Sequence, residues 1–198
     1  MSIWKHGLAA LAVTAMASTG LATPAAAQEY AETYANDRAE IEDLMARYLF
    51  AIDYFDWDAY VATFAPDGEL EFASGISRGH DAIRTSVTNF SEGIGRFYHT
   101  EDGAMAKLRH VVLQSVVRVE GDRAWGRTLW VEMANHGPND EMKMGTYGIY
   151  EDEFVKLDGS WLIQRRNVLN EFIPSRGSGP ENPVGEMDAV AEAYRAGQ

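Results

Sequence analysis

Tyr48 and Asp53 stand five residues apart in one stretch of helical pattern, and His110 heads a β-rich run that turns at Gly121. A phenol, a carboxylate and an imidazole are enough for proton-transfer chemistry without a cofactor. Asp53 falls in the last turn of its helix, where the negative pole of the helix dipole disfavours another negative charge. Two readings of that placement stay open: a base held at a site, or a solvated turn acid beside Asp56 and Asp58. The Tyr48 ring lies in the middle of an apolar stripe and belongs to the core. Its hydroxyl must then find a partner, either a pocket wall or a substrate oxygen.

The five histidines differ in setting. His6 falls in the leader described below, His80 opens a polar helix start and is expected to be exposed, and His136 lies in a Gly-Pro turn. His99 and His110 bracket a long loop, where a side chain can be aimed at a cavity. No HxH or HxxxH spacing or comparable His/acid cluster occurs, so no metal site is expected. There is no GxGxxG or Walker loop. Acid–base catalysis without a cofactor, or simple binding, remains.

The elements that must position these residues follow from periodicity. Ile41, Leu44, Met45, Tyr48, Leu49 and Ile52 recur at helical spacing and predict an amphipathic helix over residues 37–53. Asp56 reads as the N-cap of a second helix ending at Phe64, and Pro66-Asp67-Gly68 as the turn that closes this hairpin. A short strand is expected from Glu69 to Ala73 and a third helix from Asp81 to Phe90. Residues 91–109, with Phe97, Tyr98 and His99, read as a long loop of the kind that often carries function. Four β-rich runs follow: His110 to Glu120, Arg123 to Asn135, Met142 to Leu157 and Trp161 to Phe172. Tight turns are expected at Glu120-Gly121-Asp122 and at Asp158-Gly159-Ser160. Helices first and a strand meander afterwards indicate an α+β fold, a curved sheet wrapped around helices. From Pro174 to Gly185 the composition is that of a linker or arm, and Glu186 to Arg195 reads as a short terminal helix.

Composition bounds the rest. Lys5, the apolar run Leu8 to Met16 and Ala25-Ala26-Ala27 have the order of a secretory signal peptide over residues 1–27, with an apolar segment too short to span a bilayer. An exported chain beginning near Gln28 is expected, periplasmic if the source is Gram-negative. The 198 residues carry 30 acidic against 17 basic side chains, a formal charge of −13. That surface repels phosphate backbones and anionic lipid, so neither nucleic acid nor membrane is an expected partner. With no cysteine in the chain, disulfides, thiolate metal sites and cysteine nucleophiles are excluded.

Several segments together resemble a known family. They are Arg47 to Leu70 (RYLFAIDYFDWDAYVATFAPDGEL), Arg78 to Ile83 (RGHDAI), His110 to Thr128 (HVVLQSVVRVEGDRAWGRT) and Gly148 to Ile163 (GIYEDEFVKLDGSWLI). In this order, over Asp37 to Phe172, the chain is similar to the SnoaL-like and scytalone-dehydratase-like branch of the NTF2-like, or cystatin-like cone, superfamily. The resemblance implies a catalytic set of Tyr48, Asp53 and His110, the last chosen by its spacing to Gly121. It leaves Trp57, Gly121, Ala124 and Trp161 in structural roles. The chain departs from the pattern in its long 91–109 loop and in lacking a second histidine on the Arg123 to Asn135 strand.

The resemblance further implies a cofactor-independent lyase for a hydrophobic aromatic small molecule. It would act by dehydration, or by carbon–carbon cleavage that releases formaldehyde from a lignin-derived diarylpropane. His110, oriented by Asp53, would move a proton while Tyr48 holds a substrate oxygen. Phe97, Tyr98, His99, Trp130 and Asn167 are the expected pocket residues. A non-catalytic ligand-binding module and a ketosteroid-type isomerase are the alternatives, and a homodimer or homotrimer is the expected assembly.

Overall fold

The apolar repeat from Ile41 to Ile52 supplies the buried stripe of helix α1 (Tyr34–Asp53), which lies against a sheet. The computed structural model describes residues 31–94 and 96–198. The leader expected at residues 1–27 lies outside the described residues. Asp56 caps helix α2 (Trp57–Ala62), its side chain accepting from the Ala59 N–H at 3.0 Å.

This helix stops short of the expected Phe64 because Phe64 opens strand β1 (Phe64–Phe72). Pro66, Asp67 and Gly68 therefore lie inside a strand and do not close a hairpin. The pairing with the last strand is irregular between Phe64 and Glu69. A bulge there accommodates a proline that has no N–H to give, and Gly68 fits where an added Cβ would come within 2.9 Å of the Ile163 carbonyl oxygen.

Strand β2 (Gly75–Arg78) pairs antiparallel with β1, an element the sequence pattern did not reveal. Helix α3 (Gly79–Ile94) is longer than expected at both ends. His80 is half-buried within it rather than exposed, because its Nε2 is 3.0 Å from the Phe64 carbonyl oxygen.

The meander comprises β3 (Leu108–Glu120), β4 (Arg123–Ala134), β5 (Lys143–Leu157) and β6 (Ser160–Asn170). Two-residue loops close its first and last hairpins, where Glu120 pairs with Arg123 and Leu157 with Ser160. At the second, Asp158 and Gly159 both have positive φ, 49° and 80°, as a twist-compatible hairpin turn requires. The sheet order is β2-β1-β6-β5-β4-β3, antiparallel apart from the β1–β6 pair. Irregular registers in four of these pairings bend the strands, and α1, α2 and α3 fill the inner side.

Ile41, Tyr60, Phe64, Ile83, Phe154 and Ile163 are all at most 1% exposed in that core. Each such side chain contributes about 1.5–3 kcal/mol by leaving water. Among the described residues no helix is long and apolar enough to cross a membrane.

The stretch after β6, by composition a linker or arm, folds back on the sheet. The Asn170 N–H donates to the Arg176 carbonyl at 2.8 Å, and the Arg176 guanidinium reaches Glu71 at 2.9 Å and the Val168 carbonyl at 3.0 Å. Helix α4 (Pro183–Ala196) starts earlier than expected, capped by Asn182. It packs Met187 and Ala191 on Trp125, on the outer side of the sheet.

Candidate active site

Asp53 is the last residue of α1 and His110 the third of β3, and the packing of that helix on that strand joins them. His110 Nδ1 lies 2.7 Å from Asp53 Oδ1. The His110 backbone N–H also donates to the same carboxylate, at 2.9 Å to Oδ2 and 3.2 Å to Oδ1. Donors from the strand thus offset the unfavourable helix terminus at which Asp53 sits. The carboxylate fixes the plane of the imidazole and directs Nε2 away from itself. Both side chains are nearly enclosed, at 6% and 5% exposure.

Glu132 lies on the other side of the imidazole, its Oε2 3.9 Å from His110 Nε2. It reaches that position through irregular register. Counting from the Glu120–Arg123 hairpin end, an unbroken ladder would set His110 opposite Met133. A shift between Val112 and Ser115 moves the pairing by one residue, so His110 faces Glu132. A second shift, between Val131 and Met133, distorts the β4–β5 ladder beside the same residue. Bulges of this kind re-aim side chains at sites.

Thr146 Oγ1 donates to Glu132 Oε2 at 3.3 Å, whereas Oε1 is buried without a hydrogen bond. The Tyr98 phenol stands beside this group; burial, then a hydrogen bond with the Glu132 carboxylate and its charge, push the phenol's pKa well up.

His110 and Glu132 line a cavity of about 310 Å³ with Tyr48, Tyr60, Phe90, Phe97, Tyr98, Trp130 and Tyr150. The Trp130 and Tyr150 rings stack at 5.5 Å between centroids. The Tyr60 hydroxyl donates to the Tyr48 hydroxyl at 2.8 Å, which leaves the Tyr48 proton to be offered elsewhere. Burial raises the pKa of Tyr48 against the opposing influence of Arg166, so the phenol stays protonated at neutral pH.

Arg166 is fully buried between the Tyr48 and Tyr150 rings, 4.1 and 4.3 Å from their centroids, and is bonded to Asp152 at 2.7 and 2.8 Å. Burial alone would lower its pKa; Asp152 reverses this, so the guanidinium is a permanent cation behind the cavity wall. Among the described residues no cluster of three or more His, Asp or Glu side chains is placed to hold a metal ion.

Residues 33–167 match the family described as the SnoaL-like domain. The chain belongs to this SnoaL-like family. A relative from Mycobacterium tuberculosis, an uncharacterized protein, is 26% identical over 133 residues, 66% of this SnoaL-like chain and 83% of its own. Two structures from Novosphingobium aromaticivorans share the fold. One is an NTF2-like protein with a cystatin-like fold, at TM-score 0.56 and 22% identity, covering 67% of this chain and 80% of that one. The other bears scytalone dehydratase as its proposed assignment, at TM-score 0.55 and 24% identity, covering 70% and 86%.

Tyr48, His110, Tyr98, Phe97 and Trp130 meet at one cavity in this SnoaL-like chain, with Asp53 directly behind His110. Two expected pocket residues do not join them. Asn167 pairs with Glu151, itself opposite Arg127, and so shares the outer face with Trp125; it is bonded to Glu151 and Arg176. The neighbours Val168 and Asn170 take the inward positions on the cavity wall. His99 is exposed, because a bridge to Met105 turns its backbone away while Tyr98 points inward.

Glu132, Tyr60, Tyr150 and the Arg166–Asp152 pair went unread in the sequence. A signal existed for Glu132, a lone acid in the apolar stretch Leu129 to Ala134, two positions from Trp130 and hence on its face.

Proposed function

We propose that this SnoaL-like protein is a cofactor-independent lyase acting on a hydrophobic aromatic small molecule. The observation that carries the reading is the enclosed Asp53–His110 pair, 2.7 Å apart, with the imidazole on the wall of an aromatic cavity. His110 Nε2 takes a proton from the substrate or returns one to the departing group, and Asp53 holds the ring and stabilises the imidazolium that forms. Tyr48 donates to the oxygen on which charge develops, with the buried Arg166 cation behind its ring. The chemistry is elimination of water, as the name of the Novosphingobium relative suggests, or carbon–carbon cleavage that releases formaldehyde from a diarylpropane.

A non-catalytic carrier would need the cavity but not a buried acid–base pair at its wall, so the pair favours catalysis. An isomerase of the ketosteroid type would leave the substrate mass unchanged, whereas a lyase splits it. The proposal extends to place and assembly. Export is supported by the order of Lys5, Leu8 to Met16 and Ala25 to Ala27, and self-association by the exposed outer-face residues Leu113, Leu129 and Tyr147.

Purified protein should be incubated with lignin-derived diarylpropanes and polyketide-like aromatic alcohols while loss of 18 or about 30 mass units is followed. His110→Ala and Asp53→Asn should each reduce turnover by about a hundredfold or more, with stability changed by about 2 kcal/mol or less. Full activity in both variants would remove the pair from the mechanism.

A further inference from the structure

Within the cavity wall one charged group keeps an unused hydrogen-bonding atom. Glu132 is 5% exposed; Thr146 and the Tyr98 phenol hold its carboxylate, and among the described residues Oε1 is buried without a hydrogen bond of its own. A desolvated carboxylate oxygen left unpaired is expensive, and such atoms persist where something else completes them. The surrounding fold is arranged to keep it there. One register shift, between Val131 and Met133, brackets Glu132 in the β4–β5 pair, and another, between Val112 and Ser115 in the β3–β4 pair, sets it opposite His110. At Gly145 an added Cβ would stand 2.5 Å from Oε1 and 2.8 Å from the Tyr98 hydroxyl, so only glycine leaves both groups in place. The indole N–H of Trp130, one inward position earlier on β4, is likewise buried without an acceptor.

The charge of the wall narrows what can complete these atoms. Among the described residues no Lys or Arg lines the cavity, and the His110 imidazole there already faces the Asp53 and Glu132 carboxylates. Arg166 stands behind the Tyr48 and Tyr150 rings, outside the cavity lining, with its Nε and Nη2 bonded to Asp152. An aromatic acid would bring its carboxylate to Glu132 with no Lys or Arg among the lining residues to separate the two, in a setting where like charges repel strongly. A neutral hydroxyl has the proton that Oε1 lacks.

We propose that Glu132 selects the ligand: Oε1 accepts a hydrogen bond from a phenolic or alcoholic hydroxyl of an uncharged aromatic molecule, and the same carboxylate turns aromatic acids away. This rests on the reading of the cavity as the substrate site and adds the substrate's charge class to it.

The test is direct binding to the intact protein at pH 7.5, by calorimetry or tryptophan fluorescence, of bibenzyl, 4-(hydroxymethyl)bibenzyl and bibenzyl-4-carboxylate. The alcohol should bind at least about tenfold more tightly than the acid. Glu132→Gln should bring the two within about threefold, chiefly by tightening the acid. Glu132→Asp keeps the charge and should still exclude the acid, which preserves the test if the glutamine variant does not fold. Equal or tighter binding of the acid by the wild type, or an unchanged ratio in Glu132→Gln, overturns the selection. Failure of all three compounds to bind removes the substrate-site reading along with it, whereas binding without selectivity removes the Glu132 proposal alone.

Discussion

A hydroxyl buried among rings has to be satisfied, and Tyr48 satisfies its own by accepting from Tyr60 at 2.8 Å. The two phenols differ in what their removal should do. Tyr48→Phe takes away the group that faces substrate and strands the Tyr60 donor. We expect kcat to fall by about 10- to 100-fold with KM little changed, and stability to fall by about 1–2 kcal/mol. Tyr60→Phe removes only the outer partner, so a similar stability loss should come with a smaller effect on kcat. Steady-state kinetics and urea denaturation of both variants check this; a larger kcat loss in the Tyr60 variant would reverse the assignment.

Strands carry the site through two glycines of β5 that are close in sequence and differ in purpose. At Gly148 an added Cβ would lie 2.0 Å from the Leu169 carbonyl oxygen, a backbone atom that cannot step aside. At Gly145 it would meet the ends of the Glu132 and Tyr98 side chains. Gly148→Ala should therefore destabilise the protein by about 1–3 kcal/mol or more, as overpacking does. Gly145→Ala should leave the denaturation midpoint close to wild type while displacing Glu132 and reducing ligand affinity. Equal destabilisation by both would mean that the Gly145 clearance is a folding requirement and not a feature of the site.

Across the whole molecule, α1 is fastened to the sheet far from the cavity. Asp37 accepts from Lys156 Nζ at 2.8 Å and from Trp161 Nε1 at 3.0 Å. Burial opposes ionisation of Asp37, but these hydrogen bonds outweigh it and hold its pKa below the ordinary aspartate value. A carboxylate with a lowered folded-state pKa stabilises the native state above its unfolded pKa, about 4, and that contribution disappears as pH falls through the folded value. Glu71, lowered by Arg176 and Arg165 against its own burial, acts in the same direction. Thermal melts should thus show wild type above Asp37→Asn at pH 7, with the gap closing below about pH 4. A gap independent of pH would assign the effect to geometry rather than charge.

Helix α1, the strand meander and its two tight hairpins were legible because apolar spacing and turn chemistry are local properties. The Tyr48, Asp53 and His110 set was legible as what the resemblance to the SnoaL-like family implies. Sequence alone thus determined an α+β chain with phenol, carboxylate and imidazole available for proton transfer. What the tertiary structure decided is which of those groups meet and which way they face. Single-residue register shifts set Glu132, and not Met133, against His110. The pairing of Asn167 with Glu151 sends Asn167 to the outer face, and the fold-back at Arg176 turns an apparent arm into part of the wall's support. A slip of one residue reverses the facing of a strand, and nothing local to Glu132 or Asn167 records it.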